Sequence, residues 1–415
     1  MQNLHIISAV IFGLALIHTF STKAFERLAH RHPKHAGLLH LLGVVEVVFG
    51  LWAIVLIIFM TTLKGRIQAL EYIESREYTE PMFVFVIMVM AASKPILETV
   101  KKLITTIAAR SPFSSTITQA WLALALVPLL GSIITEPAAM TLAALILAPL
   151  IFNQKISERL KYATLGVLFV NVSVGGTLTS YAAPPVLMVA NTWQWDSTFM
   201  LLNFGYKAAA AVLINASTIC YFLRNSLAQH RPSSASNNEK FSYTVSSIHL
   251  LFLIGVVIFA HHPIIFLSLF MLFLGYTQAY KTYQSPLILK EGLLVGFFLA
   301  GLVVLGGMQQ WWLQPIVSDL APTALFFGAT TLTAITDNAA LTYLGSLING
   351  ISDEAKYMLV AGAVAGGGLT IIANAPNPTG VALLKSGFKD HSIGALDLLL
   401  GALPPTLCVM ALFLL

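Results

Sequence analysis

The sequence predicts an all-α polytopic membrane protein made of two inverted-topology repeats, each with five transmembrane spans, a re-entrant helical hairpin and a broken helix. Three observations carry that prediction. Of the 415 residues, 57% are hydrophobic and only 10% charged, and mean hydropathy is +0.81, which excludes an ordinary soluble domain. The run Thr135-Glu136-Pro137-Ala138-Ala139-Met140-Thr141 returns half a chain later as Thr336-Asp337-Asn338-Ala339-Ala340-Leu341-Thr342. Each copy is followed by a polar break in an apolar segment, Gly175-Gly176-Thr177-Leu178-Thr179 and Gly367-Gly368-Leu369-Thr370. Charge and irregular backbone at membrane depth survive only where protein or a cavity receives them. Having both twice is the pattern of a secondary transporter.

Taken in order, the apolar stretches predict spans over 3–20, 37–60 and 82–106, with a kink expected at Pro95. A hairpin over 118–152 turns at Thr135-Glu136-Pro137. Each of its arms reaches only ~22 Å at ~1.5 Å per residue, short of a ~30 Å hydrocarbon core, so both arms enter from one face. The fourth span, 160–193, is interrupted at 174–185 by glycines and by Pro184-Pro185, and a fifth covers 198–223. These elements make a first repeat over 1–223. The polar stretch 224–245 reads as a cytoplasmic linker. The second repeat, 246–415, repeats the order: spans over 246–260, 263–280 and 287–308, a hairpin over 320–349, a span over 355–385 broken at 366–378, and a last span over 394–415. His261-His262-Pro263 must then be a tight turn.

Five crossings per repeat is an odd number, so the second repeat is inverted. Charge agrees: with the N-terminus outside, seventeen of the 23 Lys and Arg fall on inner loops and four on outer loops, leaving Lys94 and Lys207 within spans. Both termini are therefore expected to be extracytoplasmic. The net charge of +5 is explained by these loops, and no nucleic-acid partner is expected. Cys220 and Cys408 stand far apart in apolar segments and suggest neither a disulfide framework nor a metal site. The N-terminus lacks the basic region of a cleaved signal, so the first span is expected to be retained.

The chemistry is expected at the tips and breaks. A tip that ends one half-helix and starts another offers carbonyls on one arm and amides on the other. Glu136 and Asp337 place negative charge there, which favours a cation; Thr135, Thr336 and Asn338 stand beside them. Thr177 and Thr179 in the first break, and Thr370, Asn374 and Asn377 in the second, could complete a cage of oxygen ligands. The bland reading of the breaks is helix packing by small residues, and that of the acids is capping. Lys94, Lys207 and Glu46 are candidate coupling charges or members of fixed pairs. The histidines between His30 and His40 read as a solvated basic loop, with metal binding or pH sensing as the sharper alternative. No nucleotide-binding or hydrolase motif occurs, so no enzyme activity and no cofactor are expected.

Thr336-Asp337-Asn338-Ala339-Ala340 followed by Gly366-Gly367-Gly368-Leu369-Thr370-Ile371-Ile372-Ala373-Asn374-Ala375-Pro376-Asn377 resembles the ion transporter superfamily, in its arsenite-permease and D-type Na⁺/H⁺ antiporter branch. It also resembles the group in that superfamily called putative Na⁺/H⁺ antiporters. The first tip departs from the pattern, with Glu136-Pro137 where an Asp-Asn pair is usual, and the first break has Tyr181-Ala182-Ala183-Pro184-Pro185 without an asparagine. The resemblance implies a homodimer in a bacterial inner membrane, a scaffold of spans one to three and six to eight, and an elevator-like transport unit. It makes Na⁺ the expected transported ion, at Asp337, Asn338 and Asn374, in exchange for protons. An arsenite or carboxylate permease of the same architecture is the alternative, and a non-transporting membrane receptor or assembly factor is the alternative from another class.

Overall fold

The computed structural model describes residues 2–228 and 242–415, and every regular element among them is helical. Most of the linker predicted over 224–245, including Arg231 and Lys240, lies outside the described residues. Among the described residues, five helices are long and apolar enough to cross a membrane, at Leu4–Thr22, Val45–Lys64, Ser197–Leu227, Leu289–Gly306 and Ala395–Phe413, or up to seven if each bent pair counts as one span. The ten predicted spans are thus not ten long helices. Some are broken, and Tyr243–Ile258 and Pro263–Ala279 are apolar but short. The latter two are separate helices joined at His261-His262, where Pro263 opens the second one.

Two predicted spans begin differently. Span two starts at Val45, because the chain leaves the short Ala36–Leu42 helix at Gly43 and Val44. Span three is two helices, Thr79–Ala91 and Lys94–Arg110, bent by 60° at Ala92-Ser93. Pro95 has no N–H to offer the carbonyl four residues back, so the ladder stops there.

The chain divides into two compact units, each drawing on both halves of the sequence. The first comprises 1–85, 289–320 and 343–351. Its centre is the pairing of Val45–Lys64 with Leu289–Gly306, where Gly50 and Gly301 bring two backbones together; a Cβ on Gly301 would overlap the Gly50 backbone. Phe49 packs edge-to-face on Phe298 beside that crossing, with ring centroids 5.1 Å apart. Buried Gln309 donates to Ser8 Oγ and accepts from the Trp312 indole, which satisfies polar groups that would otherwise be orphaned.

The second unit comprises 86–288, 321–342 and 352–415. Its buried heart is the Glu158–Gly175 helix, which packs on Ala395–Phe413 and Tyr206–Ala228. Gly166 meets Gly401 backbone to backbone. Buried Asn171 donates to Leu124 O at 2.8 Å and to Val212 O at 3.2 Å, and Asn215 donates to Asn171 Oδ1 at 3.1 Å. Leu124 O is available because the partner expected for it in an α-helix is residue 128, which is proline. The asparagine replaces the missing amide at a bend of 41° between Ser115–Leu124 and Leu126–Ile134.

Candidate functional site

The first tip joins Leu126–Ile134 to Glu136–Leu147 through Thr135. Thr135 has φ 73° and ψ 153°, a conformation that L residues rarely adopt and that costs on the order of 1–3 kcal/mol. Glu136 opens the second helix with Pro137 behind it, where the absent N–H breaks no bond. The Glu136 side chain is completely buried. Its Oε2 accepts from Asn374 Nδ2 at 2.7 Å, while Oε1 has no hydrogen-bond partner among the described residues. Gly176 faces that oxygen, and a Cβ there would stand 2.6 Å from it. The carboxylate therefore fits only because the first break presents a glycine.

The second tip runs from Thr333, the last residue of Pro322–Thr333, to Asn338, the first of Asn338–Ser346. Asp337 Oδ1 accepts from the backbone amides of Ala339 and Ala340 at 2.8 and 3.1 Å, capping the helix. Asp337 lies within Coulombic range of Glu136, so the site holds two acids. Asn338 is buried; its backbone amide donates to Ala373 O at 3.1 Å, inside the second break.

The helices are interrupted at two places beside these tips. The first passes from Glu158–Gly175 through a short 3-10 turn, Gly176–Leu178, and irregular backbone to Pro184–Trp193. The second leaves Asp353–Gly366 and resumes at Asn377–Leu384. Serine and threonine staple each break to its tip. Ser132 Oγ donates to Gly175 O at 2.7 Å and accepts from Leu178 N, and Thr179 donates to Ser132 O at 2.6 Å. Thr370 donates to Ala334 O at 2.8 Å, and Asn377 Nδ2 donates to Gly367 O and Thr370 O. Gly367 and Gly368 of the second break pack on Ser173 and Val170 of the Glu158–Gly175 helix.

The predicted site residues thus fall into groups. Glu136 and Asn374 touch; Asp337 is within reach of their charge; Asn338 and Asn377 line the second break. Thr177 donates to Val174 O and Thr336 to Leu332 O, so with Thr179 and Thr370 their protons serve nearby carbonyls. Lys207 donates to the Tyr357 hydroxyl at 3.0 Å and lies over that ring; Tyr357 in turn donates to Phe413 O. Lys94 is half-buried at the start of Lys94–Arg110. Glu46 sits in the first turn of Val45–Lys64, in the other unit. Asn171 and Ser173 stand out in the sequence as polar residues clustered around Gly175-Gly176, whereas sequence reasoning missed Ser132, Asn215 and Thr333. Their signal is a lone polar residue in an apolar helix, which alone does not separate a ligand from a packing contact.

A buried acid, asparagines and freed carbonyls on broken helices, in a chain rich in apolar helices, are the features of a multi-pass membrane transporter. Residues 3–415 match the model of the family described as "Putative Na⁺/H⁺ antiporter", and the chain belongs to that family. No curated protein matches it. Among solved structures, the Alcanivorax borkumensis YdaH transporter is similar over 89% of this chain and 96% of that one, at 13% identity and a TM-score of 0.45.

Proposed function

We propose that the protein exchanges a small cation, Na⁺ in the first instance, for protons at the site around Glu136. The observation that carries this reading is the buried contact between Glu136 and Asn374, with Asp337 close by. An ionised carboxylate at such depth needs a counter-charge, and a cation or a proton can supply it. The two compete, and competition at one carboxylate is exchange. Asp337, Asn338 and Asn374 are the proposed Na⁺ ligands, with Thr135, Thr177, Thr179, Thr336, Thr370 and Asn377 around them. Two acids at one site weigh against a bare anionic cargo.

The reading includes two inverted repeats over 1–223 and 246–415, extracytoplasmic termini, membership of the ion transporter superfamily and an elevator motion in a homodimer. Its support is the shared order of tip, arm and break in the two halves, and the resemblance of the second-half motif. The test is proton movement, reported by a pH-sensitive dye, in proteoliposomes given Na⁺, Li⁺, K⁺ or organic anions. Na⁺-dependent proton efflux that is lost in an E136Q/D337N double variant is expected. Native rates in that variant would refute the assignment.

A further inference from the structure

His249 lies outside the site described above and is completely buried, in the second turn of Tyr243–Ile258. Both of its ring nitrogens are engaged. Nδ1 stands 2.8 Å from Val245 O, and Nε2 stands 2.7 Å from Gln284 Nε2. A carbonyl only accepts, so Nδ1 carries a proton; an amide NH2 only donates, so Nε2 holds a lone pair. Phe273 and Tyr276 pack edge-to-face on the ring, with centroids 5.2 and 5.5 Å away.

This arrangement is unbalanced. Gln284 Oε1 is buried without a hydrogen-bond partner among the described residues, and so is the Tyr276 hydroxyl. A half-turn of the Gln284 amide exchanges its two ends and brings Oε1 to Nε2. That contact is attractive only when Nε2 carries a proton and the ring is an imidazolium. One side chain can therefore face either charge state of the ring. His18, also buried, is the opposite case. Its Nδ1 accepts from the Trp52 indole at 3.1 Å and its Nε2 donates to Leu42 O at 2.9 Å. An indole cannot turn into an acceptor, so His18 is locked neutral.

Gln284 opens the irregular stretch 284–288, after which the chain passes from the second unit to the first. Ser285 and Pro286 are exposed, so water stands one residue from the amide. From Pro263–Ala279, Tyr276 faces the ring, and Tyr280 packs on Tyr276. Lys94–Arg110 also packs on Tyr243–Ile258; it carries Lys94, Glu98, Lys101, Lys102 and Arg110. There Ser246 donates to Pro95 O, Lys102 donates to the Tyr243 hydroxyl, and Glu98 pairs with Lys101. Lys281, just before the connector, is exposed. With both nitrogens taken, no acid bonds the ring, and an imidazolium must find its acceptors in Val245 O and Gln284 Oε1.

We propose that His249 and Gln284 form a proton-binding site separate from Glu136, in which a proton on Nε2 turns the Gln284 amide and tightens its hold on the connector 284–288. The proton comes from water and adds to the Nε2 lone pair; no other covalent bond changes. The site needs no exchange activity to operate.

The test uses the full-length protein in lipid nanodiscs, with protons as the probe. ¹⁵N-histidine NMR follows the ring, its signal identified by loss in H249F, and hydrogen exchange follows the 284–288 amides, corrected for the intrinsic effect of pH. Between about pH 8 and about pH 5, His249 should pass from the Nδ1–H tautomer to the doubly protonated ring. Connector protection should rise about tenfold across the same midpoint, because a hydrogen bond from a charged donor is the stronger one. Q284E offers only acceptors and should move the midpoint up by at least about one pH unit, whereas Q284M offers none and should lower it. H249F should abolish the pH step in protection, and E136Q should leave the midpoint where it is. A ring that stays neutral down to about pH 5, connector protection without a step, or a midpoint moved by E136Q would each overturn the proposal. So would a midpoint indifferent to Q284E and Q284M, and if Q284E does not fold, an unmoved midpoint in Q284M suffices.

Discussion

Asn374 and Glu136, 238 positions apart in sequence, share a hydrogen bond of 2.7 Å in a fully buried setting. The bond ties the break of one half to the tip of the other. Neither half alone completes the carboxylate's surroundings. Replacing Asn374 by leucine removes the one hydrogen-bond donor that a described side chain gives Glu136. Exchange should fall at least about tenfold, the usual cost of one hydrogen bond to a charged group. Initial rates in proteoliposomes at saturating Na⁺ check this, and a rate within twofold of wild type would contradict it.

Gly176 leaves room for that same carboxylate. In G176A the new methyl would stand 2.6 Å from Glu136 Oε1, so the carboxylate or the break must move. Overpacking of this kind costs about 1–3 kcal/mol. A lowered midpoint of thermal unfolding and a raised KM for Na⁺ are expected together. Unchanged values of both would mean that the break yields freely.

Thr135 carries strain that glycine would not. At φ 73° and ψ 153°, T135G should relieve on the order of 1 kcal/mol, read as a higher unfolding midpoint. The exchange rate should nevertheless fall, because a freed tip no longer holds Glu136 in place. A more stable and equally active T135G would show that the strain has no role in transport.

Asn171 and Pro128 should be coupled. N171L strands Leu124 O in the core and should lower stability by about 1–3 kcal/mol. P128A can restore a backbone amide four residues on from Leu124, so the double variant should recover part of that loss. A double-mutant cycle in thermal unfolding reads the coupling, and strict additivity would sink it.

In the proposed exchange, proton and cation compete for the same acid. A proton on the acid removes the charge that attracts the cation, so half-saturating Na⁺ should rise as pH falls. In E136Q that slope should flatten. Flux measured over a pH series distinguishes the two, and parallel slopes would assign the proton elsewhere.

Much of this was readable from the chain. Charge in apolar surroundings, glycine clusters and prolines mark the tips and breaks because each violates the local helical pattern, and the violations came in matched pairs. The 60° bend before Lys94–Arg110 was announced by Pro95, though not its size. The start of span two at Val45 was hidden, since Ala36–Leu42 is as apolar as a span. Ser132, Asn215 and Thr333 were hidden too. Their importance comes from carbonyls contributed by distant helices, and no periodicity encodes which carbonyl a folded neighbour will expose.

Gly367 lies so tightly on Ser173 that not even a methyl group fits between them. The second break is thus seated against the last turn of the unbroken Glu158–Gly175 helix. A shift of either segment at this contact must carry the other with it.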